Sequence, residues 1–161
     1  MGIGEKYFHT ISQIGFVYRD IGPVVKAVQE KLGAEPTFGT TPELGREYRG
    51  EPGNFACKMA FFHFANLELE FIQPMAGTKS IWQDFLDSGR EGLHHIRFSI
   101  DSQKETEEAM AAIGIPVYQK GLSVNMPGHT WAYFDSEPVL HFQIETLNDL
   151  EKLPEEGDIN A

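Results

Sequence analysis

The chain has 161 residues, 41% hydrophobic and 23% charged, with a formal net charge of -11. That length suits one domain with a sizeable core, and the acidic balance excludes a nucleic-acid or anionic-membrane partner, which would need a basic stripe. Cys57 is the only cysteine, so no internal disulfide or cysteine-held zinc is expected; with no secretory pattern and no apolar run near the ~20 residues that span a bilayer, a cytoplasmic location is expected.

Residues 13–18 alternate as a half-buried strand and run into Asp20, whose carboxylate can accept the free N–H groups of a first helical turn. A helix is predicted from there to Gly33, with Pro23 in its opening turn and Val24, Val28 and Leu32 on one face. Strands are predicted at about 35–38, 57–64 and 67–73, with a Gly- and Pro-rich loop over 39–54. Residues 75–92 form a linker holding a short helix at about 80–86. Residues 95–100 then alternate into Asp101. Ser102 and Glu105 have capping-box spacing, Ala109, Met110 and Ile113 form the apolar stripe of a second helix, and Gly114 ends it. Further strands are predicted at about 116–119, 130–134 and 139–146.

Asp20 to Gly33 and Asp101 to Gly114 span the same interval, so one strand–helix–three-strand unit occurs twice. Neither unit can close a core alone, and the halves are expected to pair through their sheets. The reading is an α+β fold of two βαβββ modules, at about 10–74 and 93–148. They lie in a single domain over 1–150, followed by an acidic tail at 151–161.

Four phrases carry a family resemblance: Ser12-Gln13-Ile14-Gly15, Glu70-Phe71-Ile72-Gln73-Pro74, Gly92-Leu93-His94-His95-Ile96 and Phe142-Gln143-Ile144-Glu145. In order and spacing the chain resembles the vicinal-oxygen-chelate (glyoxalase-like) superfamily over 12–147, its methylmalonyl-CoA epimerase branch more closely than its glyoxalase I branch. The resemblance implies curved mixed sheets forming a half-barrel cavity, with one metal ligand from the first and one from the last strand of each half. Carried over singly, these are Gln13, Glu70, His95 and Gln143, where relatives usually have His first and Glu last. Such a set implies a divalent ion (Co²⁺, Mn²⁺, Ni²⁺ or Zn²⁺), weakly held because two donors are neutral amides.

Strand alternation is compatible with that placement. With those four residues inward, Ile14, Phe16, Leu69, Phe71, Ile96, Phe98, Phe142 and Ile144 all fall on the opposite face, beneath the helices. The inner set then also holds Glu68, Arg97, His141 and Glu145, making the whole concave face polar, while His94 is placed at a loop edge. Glu68, Arg97 and His141 are candidates for substrate binding, Arg97 as a clamp on a carboxylate.

Family members of these branches move a proton beside a carbonyl, using the ion to stabilise the enediolate and a carboxylate as base. Gln143 cannot titrate, and the third-strand position near 56–58 holds no acid. Glu68 and Glu145, two residues along from ligand positions, face the same cavity and are candidates for the missing bases, and Glu70 and Glu145 are taken as the catalytic pair. The resemblance implies a metal-assisted isomerase or lyase for a small carbonyl or acyl-thioester substrate, assembled as a homodimer. The alternative is a non-catalytic protein of the same fold that binds a small anion.

Overall fold

The computed structural model describes residues 1–41 and 45–151. The expected acidic tail lies outside them except for Glu151, as does part of the 39–54 loop. After a short helix α1 (Ile3–Tyr7), the first module runs β1 (Thr10–Val17), α2 (Gly22–Leu32), β2 (Thr37–Thr40), β3 (Glu47–Tyr48), β4 (Glu51–Pro52), β5 (Cys57–Phe64) and β6 (Leu67–Pro74). A linker helix α3 (Ile81–Asp87) leads into β7 (Gly92–Ser99), α4 (Gln103–Ala112), β8 (Val117–Leu122), β9 (Thr130–Phe134), α5 (Glu137–Leu140) and β10 (Gln143–Leu147).

All described strands join one curled sheet, ordered β2-β5-β6-β1-β7-β10-β9-β8-β3-β4, which forms a half-barrel. The modules meet edge to edge through antiparallel β1 and β7. Each first strand also pairs in parallel with the last strand of its own module, β1 with β6 and β7 with β10. The predicted 39–54 loop contains the β3–β4 hairpin, which crosses to the other module and pairs Glu47 with Lys120 on β8. Two-residue strands among glycines and prolines leave no alternation to read.

Helices α2 and α4 cover the convex face. Pro23 opens α2 and Gly33 closes it at φ 65°, where a side chain would be strained. Asp20 Oδ1 accepts the Gly22 N–H at 2.9 Å. The buried side of α2 is Val25 with Val24 and Val28, packed on Phe71 and Phe62; fully burying such a side chain contributes ~1.5–3 kcal/mol. Leu32, expected on that side, is 65% exposed, because the last turn extends past the sheet partners. Ser102 caps α4 by accepting the Glu105 N–H at 3.3 Å, and Met110 buries against Phe134 and Ile144. Ile113, expected in the stripe, is exposed after the helix ends.

The concave face is not polar throughout, as the alternation had implied. The linker helix α3 enters it, with Ser80 accepting the Gln83 N–H at 3.0 Å as its cap. Its Ile81, Trp82, Phe85 and Leu86 pack with Phe55, Trp131, Tyr133 and Leu147 into an inner core. A polar cluster survives only in the middle of the sheet. No helix among the described residues is long and apolar enough to cross a membrane.

Candidate metal centre

Strand register decides which side chains meet. In the first module Gln13 stands opposite Glu68 and Gly15 opposite Glu70. In the second, His95 stands opposite Gln143 and Arg97 opposite Glu145. With Gln13 and His95 as equivalents, Glu68 therefore matches Gln143, and Glu70 matches Glu145. The family pattern, which makes Glu70 and Gln143 the last-strand ligands of the two halves, therefore pairs positions two residues out of register. A slip of two keeps every side chain on its face, so alternation could not expose it.

The geometry follows the corrected register. His95 Nε2 lies 3.2 Å from Gln13 Oε1, 3.3 Å from Glu70 Oε2 and 3.1 Å from Glu145 Oε2. His95 is fully buried, and Glu70 and Glu145 nearly so. Gln143 takes no part in this cluster: its Oε1 accepts from the Ser136 N–H at 3.3 Å, and it borders a separate cleft with Asp135 and Glu137. His141, expected on the inner face, borders that same cleft. It follows α5 at φ 63°, exposed, because residues 137–140 are helical and β10 begins only at Gln143.

Gly15 makes room for the imidazole, since a Cβ there would stand 1.7 Å from His95 Cε1. Glu68 accepts from Gln13 Nε2 at 2.6 Å, which turns Gln13 Oε1 towards His95. The same carboxylate lies 3.1 Å from His63 Nε2 and 3.6 Å from an Arg97 Nη. Glu68 is thus occupied by protein groups, and the inner cavity is not lined by it.

Burial pushes the Glu70 carboxyl up, against the pull of His95. Burial alone would lower His95, but the Glu145 and Glu70 carboxylates outweigh it and hold the imidazole at about 9. His94 is driven well below its ordinary value by burial, and then by the charges of His95 and Arg90.

Three oxygens face one imidazole nitrogen, and a single N–H can serve only one of them. Glu70 Oε2 and Glu145 Oε2 are buried without a hydrogen-bond partner among the described residues. An orphaned buried carboxylate oxygen is costly. Glu70, His95 and Glu145 can each turn one donor atom to a common ion, those atoms lying within 4.8 Å of one another. An imidazole, two carboxylates and an amide oxygen fit a divalent cation.

Glu70 and Glu145 open onto a cavity with about 40 Å³ of room, enough for a few waters. Its wall includes Phe61, Trp82, Trp131, Tyr133 and Arg97. Arg97 Nε donates to Ser12 Oγ at 3.0 Å. Sequence reasoning missed Trp82 and the inward turn of His94. Tandem histidines at the start of a predicted strand are the one available signal for the latter.

A paired βαβββ half-barrel with a buried acid–imidazole–acid cluster on its concave face defines the class of this molecule. The chain belongs to the Glyoxalase/Bleomycin resistance protein/Dioxygenase superfamily, whose pattern matches residues 12–133. No curated protein matches the sequence. Among solved structures, it is similar to a hypothetical protein from Bacillus halodurans, with 20% identity, TM-score 0.62, and coverage of 90% of this chain and 95% of that one. It is also similar to methylmalonyl-CoA epimerase from Mycobacterium tuberculosis, with 12% identity, TM-score 0.63, and coverage of 91% and 90%. A Streptomyces coelicolor methylmalonyl-CoA epimerase variant in complex with 2-nitronate-propionyl-CoA has 18% identity, TM-score 0.61, and coverage of 87% and 94%. At these identities the likeness shows the fold.

Proposed function

We propose that the protein is a metal-assisted isomerase or lyase that moves a proton beside the carbonyl of a small carbonyl or acyl-thioester compound, with Gln13, Glu70, His95 and Glu145 as metal ligands. The observation that carries this reading is the meeting of three oxygens at His95 Nε2, two of them buried carboxylate oxygens with no polar partner but that shared nitrogen among the described residues. Two carboxylates balance a divalent charge, so this set holds Mn²⁺, Co²⁺, Ni²⁺ or Zn²⁺ more firmly than the single-carboxylate set expected from the sequence.

Bound there, the cation would supply a Lewis acid that stabilises negative charge on a carbonyl oxygen. The side chains of the chain do the rest. Arg97, the one cationic side chain on the cavity wall among the described residues, holds a substrate carboxylate. Trp82, Trp131 and Tyr133 keep bulk water from the reacting carbon. Glu145, on the wall beside Arg97, takes the proton from that carbon and returns it. The names of the epimerase relatives support a thioester among the substrates, and the small cavity supports a small acyl portion.

The test joins metal analysis of protein purified without chelators to deuterium exchange from solvent into methylmalonyl-CoA and into the hemithioacetal of a 2-oxoaldehyde. Near-stoichiometric metal is expected, with exchange into one of them that Glu145→Gln abolishes. Absence of both metal and exchange would leave the non-catalytic anion-binding reading.

A further inference from the structure

We propose that His94 is the positioning residue that makes His95 a ligand: it accepts the proton on His95 Nδ1 and so leaves Nε2 for the ion shared with Gln13, Glu70 and Glu145. This rests on the metal reading above and adds to it a residue outside the ligand set.

The first observation is a β-bulge. Along β1 and β7, Gly15 pairs with His95 but Phe16 pairs with Leu93, so the register shifts by one residue at His94. A bulge re-aims the side chain of its extra residue. Leu93 points out and is 54% exposed, whereas His94 and His95 are both buried. The equivalent place in β1 has the same irregularity: Ile11 pairs with Phe98 and Gln13 with Arg97, leaving Ser12 as the extra residue. Each module thus turns inward the residue just before its candidate ligand.

The second observation is the contact this creates. His94 Nδ1 lies 3.0 Å from His95 Nδ1. Between two ring nitrogens at that distance one donates and the other accepts. The His94 ring stands edge-on to Phe85 at 5.1 Å and to Tyr133 at 5.6 Å between centroids, an apolar seat that favours a neutral ring. A neutral His94 protonated on Nε2 presents Nδ1 as a lone pair. When an ion replaces the proton on His95 Nε2, the proton that remains on the ring is on Nδ1, where His94 Nδ1 lies within accepting distance. The partner of one ring nitrogen sets the tautomer and aim of the other. The two candidate ligands from first strands are therefore oriented by different neighbours, Gln13 by Glu68 and His95 by His94.

The experiment is Zn²⁺ titration by chelator competition on wild type, His94→Phe and His94→Asn, with melting in EDTA as a folding control. Nitrogen-edited NMR of the imidazoles in the zinc-loaded wild type accompanies it. His94→Phe keeps a ring between Phe85 and Tyr133 but accepts no proton, so affinity falls about 10- to 100-fold. His94→Asn restores an acceptor near Nδ1 and recovers most of that loss. NMR is expected to find the His95 proton on Nδ1. His94→Phe binding Zn²⁺ as tightly as wild type, or zinc on His95 Nδ1, overturns the proposal while leaving the metal reading standing. A wild type that takes up no Zn²⁺ ends both. Should His94→Phe not fold, the wild-type tautomer and the Asn variant still decide.

Discussion

Glu70 and Glu145 occupy equivalent registers in the two modules and converge on a single atom, His95 Nε2, at 3.3 and 3.1 Å. Gln143 stands two residues away, committed to Ser136. Glu145→Gln is therefore expected to lower Zn²⁺ affinity by tenfold or more, about 1.4 kcal/mol per decade, and to abolish solvent exchange into substrate. Gln143→Glu is expected to leave metal affinity unchanged. It should lower stability by about 1–3 kcal/mol, because a buried charge is then only partly satisfied. Parallel metal titrations and urea melts of the two variants check this. A gain of affinity in Gln143→Glu would count against the register assignment.

Gly15 gives a test of the centre that leaves every donor in place. A methyl group there would overlap the His95 ring at 1.7 Å, and the atom it meets belongs to a ring fixed on both sides. Gly15→Ala is expected to cost about 1–3 kcal/mol by overpacking and to weaken Zn²⁺ binding at least as much as loss of one ligand. Melting with and without added Zn²⁺ separates the two effects. An increment in Tm with Zn²⁺ as large as that of wild type would show that the ring tolerates the displacement.

Glu68 was read from the sequence as a substrate contact, and the structure instead ties it to Gln13 Nε2 at 2.6 Å. Freed from that bond, the Gln13 amide can rotate and present its N–H₂ group to the centre, where a cation repels it. Glu68→Ala is expected to reduce Zn²⁺ affinity about 10- to 100-fold, the usual loss on removing a group that orients a ligand. His63→Ala removes an exposed neighbour of the same carboxylate, where such pairs contribute ~0–1 kcal/mol, and is expected to change affinity little. Equal effects of the two would assign Glu68 a merely electrostatic part.

The longer strands, both long helices and the linker helix are legible because their signals are local: alternation into a cap, and glycines after the last helical turn. Gln13, Glu70 and His95 could be placed for the same reason, with the family pattern supplying their order. The rest depends on pairing between distant segments. Choosing Glu145 over Gln143 requires the β7–β10 register, and the inward His94 requires a bulge defined only against β1. Part of the aromatic filling of the concave face, Trp82 and Phe85, comes from α3, whose apolar residues are visible in sequence but whose docking side is not. His141 was misplaced because Glu137–Leu140 is a one-turn helix in an apolar run that also reads as strand.

Cys57 supplies a prediction independent of the metal. Its thiol is buried on β5, with Sγ 3.1 Å from Thr41 Oγ1. Burial pushes it up from about 9 to about 12, only partly offset by Thr41. The sign follows from the folded value exceeding the unfolded one. The stability this group contributes is fully present below about pH 9. It is lost as pH rises towards 12, because the unfolded chain releases the proton first. Wild type should therefore lose about 1.4 kcal/mol per pH unit in that window relative to Cys57→Ala, which has no thiol to ionise. Urea melts of both proteins at pH 7, 9, 10 and 11, reported as a difference, cancel the other groups that titrate there. At pH 7 the alanine variant should be the less stable, having lost a buried sulfur. By pH 11 the gap should close or reverse. Iodoacetamide at pH 8 should likewise leave native Cys57 unmodified and label it once urea unfolds the chain. A wild-type-to-alanine difference that stays flat from pH 7 to 11, with rapid native labelling, would place the thiol in contact with solvent.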